Sequence, residues 1–355
     1  MKIVSVVGAR PQFIKCAPVS RTIRKQHEEI LVHTGQHYDP EMSDVFFEEL
    51  DIPRPDYNLG IGSGTQGEQT GKMIIEIEKV LLKEKPDLVL VYGDTNSTLA
   101  GALAASKLHI KVAHVEAGLR SFDRAMPEEI NRVMTDHISN ILFCPTDTAV
   151  MNLKNEGITE GVYNVGDVMV DALKYNQKIA EEKSTILQDL NLNPKEFLLA
   201  TVHRASNTDN KENLSSIVEA FSDSKETIVF PIHPRTRKCL KEYNLWEKVL
   251  KNTKVIPPVG YLDMLKLESN ARKILTDSGG VQKEAYMLGV PCITLRDNTE
   301  WVETIEEGWN ILTGADYEKI KHAIENFEGT DIRNNVFGDG NASDKISQKM
   351  NSGET

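Results

Sequence analysis

Aromatic residues make up only 6% of the 355-residue chain, cysteine occurs four times, and 41 Lys and Arg face 53 Asp and Glu, for a formal net charge of −12. Each shortage excludes something. Cys16, Cys144, Cys239 and Cys292 are scattered, without the paired spacing of a zinc site or a redox dithiol, and each lies in or near an apolar run. They read as reduced core residues. The missing basic excess argues against nonspecific binding to nucleic acid or to a membrane surface, so any anionic ligand must be held locally. No apolar run approaches transmembrane length, and Lys2 to Val7 is too short for a signal peptide, which makes the cytoplasm the expected location. There is no His-x-x-x-His helical pair, so neither metal nor cofactor is expected.

What is present is a globular composition, 40% hydrophobic and 26% charged, in a chain longer than a single core usually supports. Two domains are expected. Short runs rich in Val, Ile and Leu recur with helical segments between them: Ile3 to Val7, Glu29 to His33, Leu88 to Tyr92, Lys111 to Val115 and Ile141 to Cys144. The alternation restarts after Gly166 with Phe197 to Val202, Thr227 to Ile232, Val255 to Ile256, Lys273 to Thr276 and Cys292 to Leu295. Strands apolar throughout are buried on both faces, as in a parallel sheet covered by helices. The fold class is therefore α/β: two Rossmann-like, doubly wound parallel-sheet domains, expected to face a central cleft. The expected domains are 1–166 and 167–340, followed by a polar tail, 341–355, whose last residues should be mobile.

In such sheets ligands bind beyond the carboxyl ends of the strands, so the residues after each strand carry the argument. After Thr276 come Asp277, Ser278, Gly279 and Gly280, a tight loop before a helix. Two adjacent glycines let backbone N–H groups approach an anion, and the helix start adds its orphan donors and dipole. That is a phosphate cradle. Glu284, one helical turn on, can accept the two hydroxyls of a ribose. After the first strand, Arg10 and Lys15 open a helix and could reach a diphosphate, or be a solvated pair of cations.

Three acids follow other strands of the first half. Asp94 reads either as a functional carboxylate or as the cap of the next helix. Glu116 is a poor cap, and a carboxylate at the end of a buried strand needs a partner such as Arg120 or a function. Glu128 lies in the first turn of a helix, where the dipole alone favours an acid. The second half offers bases: His203 with Arg204, and His233 with Arg235, each pair at a strand end.

Taken together, Gly8 to Lys15, Thr34 to His37, Gly93 to Asp94, His114 to Ser121, Pro127 to Arg132, Thr201 to Arg204, His233 to Arg235 and Asp277 to Glu284 form an ordered set of motifs. Over nearly its whole length the chain resembles the non-hydrolysing UDP-N-acetylglucosamine 2-epimerases, with a related branch acting on UDP-2,3-diacetamido-2,3-dideoxy-glucuronate. The resemblance implies a glycosyltransferase-B type fold and reversible inversion at C2 of a UDP-linked N-acetylhexosamine, through anti elimination of UDP and a 2-acetamidoglucal. It matches Asp94, Glu116, Glu128 and His203 to catalytic positions. It matches Arg10, Lys15, Ser278, Gly279, Gly280 and Glu284 to UDP contacts, with His233 and Arg235 counted on the substrate side. A homodimer and a role in surface polysaccharide synthesis are implied as well. A hydrolysing relative that releases free sugar and UDP is the remaining alternative of this kind. Three departures stand out: Trp301 after Thr299 and Glu300, where many bacterial members have Arg; the Val259 to Met264 loop expected near uracil; and Glu41, where regulated members tend to have Gln.

Overall fold

The computed structural model describes residues 1–35 and 54–351, the side chain of Arg10 excepted. Gln36, His37 and Glu41 lie outside the described residues. By contact the chain divides into two units, Met1–Lys174 with Asn335–Thr355, and Tyr175–Asn334. The division falls inside the helix Val168–Lys183.

The first unit is built on β1 (Lys2–Val7), β2 (Glu28–His33), β3 (Tyr57–Asn58), β4 (Leu88–Tyr92), β5 (Lys111–Val115), β6 (Ile141–Cys144) and β7 (Val162–Asn164). They form one sheet in the order β3-β2-β1-β4-β5-β6-β7, parallel at every pairing. Leu88, Val89, Leu90, Val91 and Tyr92 are all buried, because a central strand has helices over both faces. Chain order runs outward from β1 to β3 and then returns to lay β4 beside β1. That reversal opens a crevice beyond the ends of β1 and β4.

The second unit repeats the plan. Its strands are β8 (Leu198–Thr201), β9 (Ile228–Pro231), β10 (Thr253–Ile256), β11 (Lys273–Thr276), β12 (Cys292–Thr294) and β13 (Asn310–Leu312), in the order β10-β9-β8-β11-β12-β13 and again parallel. The reversal here lies between β8 and β11. Leu198, Phe230, Leu275 and Ile293 fill one face of the sheet with Leu214 and Phe221, and Leu199, Val229 and Ile274 fill the other with Leu267 and Ala285.

The expected strands are present with ends moved by a few residues, as helix-to-strand boundaries commonly are. β3, β7 and β13 were not expected. Each has two or three residues and includes an Asn, so no apolar run announces it. The stretch read as a polar tail contains the helix Ala342–Asn351, with Ile346 and Met350 buried against the helix Arg10–Ile23. Two apolar residues four apart make one helical stripe, which is too narrow to dominate a polar composition. Asp171 caps its start, accepting from the N–H groups of Ala342 (3.2 Å) and Ser343 (2.9 Å). Residues 352–355 lie outside the described residues. All four cysteines are buried and free, and no described helix is long and apolar enough to cross a membrane.

Candidate functional site

At the reversal of the first unit, Gln12 organises the loop after β1. Its Oε1 accepts from the N–H groups of Gly8 (2.8 Å) and Ala9 (3.0 Å), and its Nε2 donates to the Tyr92 carbonyl at the end of β4 (2.8 Å). Both strand ends are thereby tied together. Sequence reasoning passed over Gln12, whose only signal was a polar residue buried beside a glycine turn.

Asp94 does not cap the following helix, Asn96–Lys107; Thr95 does. The Asp94 carboxylate instead accepts from Nη2 of Arg132 at 2.6 Å, and Asn131 donates to its backbone carbonyl at 2.9 Å. Arg132 also donates to Glu129 (3.0 Å), which accepts from the N–H groups of Ser121 (2.9 Å) and Phe122 (3.0 Å). Burial pushes the Glu129 carboxyl up, but Ser121, Arg132 and Phe122 outweigh it and hold it below the usual range. One buried arginine thus ties Asp94 to the helix Pro127–Ile138. Of the two acids that open this helix, Glu129 is buried in that network and Glu128 is exposed.

Glu116 follows β5 in a left-handed conformation, φ 73°, which is costly for a residue with a β-carbon and persists only where the surroundings impose it. Its N–H donates to the Phe143 carbonyl (3.1 Å), and its carboxylate, 6% exposed, pairs with Lys15. Arg120, the partner considered from sequence, is engaged elsewhere, on Asp136 (2.7 Å) and Glu156 (2.7 Å). Asp136 also meets Nδ1 of His114 (2.7 Å) and accepts from Gly118 N–H (3.1 Å), while Nε2 of His114 meets the Gly93 carbonyl (2.7 Å). Burial raises the Asp136 carboxyl, yet His114 and Arg120 together hold it below its ordinary value. Beneath Asp94 and Glu116 lies a buried ionic frame that joins the loops after β4 and β5.

In the second unit the organiser is Asp277, fully buried after β11. It accepts from the N–H groups of His203 (3.1 Å) and Arg204 (3.0 Å) and from Asn207 (3.1 Å), and lies 3.3 Å from Nδ1 of His203. The loop after β8 is thus hung from the loop after β11. His203 and His233 stand with ring centroids 6.0 Å apart. Burial lowers the His233 pKa, and His203 and Arg235 lower it further. His233 caps the helix Pro234–Glu242, and Arg235 pairs with Asp209 at the surface.

The helix after β11 runs Gly279–Leu288, so Gly279 and Gly280, read from sequence as part of a loop, are its first residues, and Ser278 Oγ caps it, accepting from Val281 N–H (3.5 Å). Glu284, 7% exposed, accepts from the Tyr261 hydroxyl (3.2 Å). Next to it is Glu268, 1% exposed, an acid that the sequence did not flag. Burial, and then the charge of Glu284, raise it well above the carboxylate range. Of the segment Val259 to Met264, read as a uracil-side loop, Tyr261 to Met264 form the first turn of the helix Tyr261–Asn270, with Gly260 as its N-cap residue.

The sequence model of the UDP-N-acetylglucosamine 2-epimerases matches residues 21–351. The chain belongs to this family. A UDP-N-acetylglucosamine 2-epimerase homolog of Methanococcus maripaludis is 66% identical over 98% of both chains. The UDP-2,3-diacetamido-2,3-dideoxy-D-glucuronate 2-epimerase of Pseudomonas aeruginosa is 52% identical over 99% of both. The crystal structure of Methanocaldococcus jannaschii UDP-GlcNAc 2-epimerase in complex with UDP-GlcNAc and UDP superposes with a TM-score of 0.91, at 54% identity, covering 99% of this chain and 100% of that one. Within a 2-epimerase frame, the departure at Trp301 is absorbed by burial. The indole is 5% exposed, and Nζ of Lys283 lies 4.1 Å from the centre of its ring, a cation–π contact inside the unit.

Proposed function

We propose that this member of the isomerase family interconverts UDP-N-acetylglucosamine and UDP-N-acetylmannosamine by inversion at C2. The observation that carries the reading is the likeness, at 54% identity and a TM-score of 0.91, to an epimerase solved with UDP-GlcNAc and UDP. The chemistry follows from the substrate. The C2 hydrogen has no carbonyl beside it, so departure of UDP has to lead: the C1–O bond breaks with its electron pair going to the diphosphate, a base takes the C2 proton, and a C1=C2 double bond forms. Return of the diphosphate oxygen to C1 with a proton delivered to the opposite face of C2 completes the inversion.

In this proposal Asp94, Glu116 and Glu128 supply the base, the acid and the charge that stabilises the oxocarbenium-like sugar, with His203 assisting. Backbone N–H groups from Ser278 to Gly280, with Arg10, Lys15, His233 and Arg235, hold the diphosphate, and Glu284 holds the ribose. The rigid anchoring of Asp94 by Arg132 and of Glu116 by Lys15 supports such roles, because a proton at C2 must be met in one geometry. Action as a cytoplasmic homodimer, feeding surface polysaccharide synthesis, belongs to the same proposal.

The second reading is the diacetamido-uronate as substrate, favoured by the 52% identity to the Pseudomonas aeruginosa enzyme. Proton NMR in D2O decides. UDP-N-acetylglucosamine converted to a gluco and manno mixture deuterated at C2 supports the first reading. Free 2-epimerised sugar with irreversible UDP release supports a hydrolysing enzyme. An intact, unlabelled substrate rejects the first reading, and turnover of the diacetamido substrate in the same assay then establishes the second.

A further inference from the structure

The loop between β12 and the helix Val302–Glu306 places a carboxylate where an anion is expected to bind. A β-carbon on Gly279 would collide with Oε1 of Glu300, so that oxygen rests directly over the first residue of the helix Gly279–Leu288. Two guanidinium groups face the same carboxylate. Nη1 of Arg296 is 3.0 Å from Oε2, and Nη2 of Arg204 is 3.7 Å from Oε1. The Glu300 side chain is only 11% exposed. A helix N-terminus, a close glycine and two arginines are together the usual surroundings of a phosphate, and here a side-chain anion shares them.

We infer that Glu300 is a resident stand-in for the diphosphate, a further residue governing UDP affinity, which the incoming diphosphate displaces from the start of the helix. This rests on the reading of Ser278 to Gly280 as the UDP cradle. The physical reason is charge economy in a chain of net charge −12. Arg204, Arg296 and the helix dipole are partly neutralised until a ligand with more negative charge arrives, and two anions cannot share the terminus. Departing diphosphate meets a competitor for its own seat, which keeps UDP from being held too tightly for turnover. A side chain at Gly279 would compete with Glu300 for the same space.

The test is calorimetry on the full chain with UDP and with uridine, which lacks the diphosphate, comparing wild type with Glu300→Gln, a substitution that keeps shape and removes charge. UDP affinity is expected to rise by about three- to tenfold, with uridine unchanged. Unchanged or weaker UDP binding by the variant, or an equal gain for uridine, overturns the inference. No UDP binding by wild type overturns the cradle as well, which separates the two failures. Should the variant not fold, the wild-type structure with UDP decides: a Glu300 carboxylate withdrawn from Gly279 supports displacement, and one left in place beside the diphosphate refutes it.

Discussion

In the first unit two of the three acids expected to do chemistry are pinned, Asp94 by Arg132 and Glu116 by Lys15, with further buried ionic contacts joining the same loops, while Glu128 is exposed. In the second unit the arrangement is inverted. The fixed element is an interior acid, Asp277, and the groups that face outward are bases, with His203 and Arg235 side chains 42% and 45% exposed. A proton transfer at carbon requires a base held within tenths of an ångström, and buried ion pairs deliver that at the cost of desolvation. The proposed nucleotide needs hydrogen-bond donors, which the backbone N–H groups of a helix start and half-exposed basic side chains can provide. The two units share a topology and differ in what the fixed acid does: in the first it is the group proposed for chemistry, in the second it anchors the loop that carries half-exposed bases.

Substitutions that unfreeze the first unit should have the largest effects. Asp136→Ala leaves Arg120 and His114 buried without their shared carboxylate and is expected to cost about 3 to 5 kcal/mol in urea unfolding. The pH dependence has a definite sign. Because the folded-state pKa of Asp136 is lowered, its stabilisation is complete above the ordinary value of 3.8 and is lost as pH falls through the lower folded value. Acid unfolding of the variant should lack that component. A variant as stable as wild type, with the same acid limb, would remove the ionic frame from the account.

Next in size, Asp94→Asn and Glu116→Gln should each lower turnover about a hundredfold or more with UDP affinity nearly unchanged; near-normal rates in both would break the contrast between chemistry and binding. For Glu284→Ala in the second unit the balance should reverse. UDP binding should weaken about tenfold, the worth of a hydrogen bond to a charged group, as read by calorimetry, and unchanged affinity would end the ribose assignment. The smallest effect is expected for Arg235→Ala, less than about 1 kcal/mol in unfolding, because its pairing with Asp209 is exposed. A larger loss would mean that the surface of the second unit is as rigidly organised as the interior of the first.

Much of this was legible in the residues. Continuous apolar runs such as Leu88 to Tyr92 announced parallel strands, and the residues after them supplied the candidate site. The alternatives left open there turned on side-chain direction, which local patterns do not carry. Asp94 could have capped a helix and Glu116 could have met Arg120, but Thr95 takes the cap, Arg132 of the helix Pro127–Ile138 takes Asp94, and Asp136 and Glu156 take Arg120. Gln12, Arg132, Asp136 and Glu268 had no motif, since a buried polar residue is recognisable only once its partners, tens of residues away, are beside it.

The sequence by itself determined the α/β class, the doubly wound repetition, the glycine-lined helix start and the family, because each depends on local composition, spacing or ordered motifs. The tertiary structure alone decided the short edge strands β3, β7 and β13, the C-terminal helix against Arg10–Ile23, the left-handed turn at Glu116 and the partners of Asp94, Glu116 and Asp136. Those depend on contacts between residues far apart in the chain, where desolvation makes each buried charge depend on the partner that the fold brings to it.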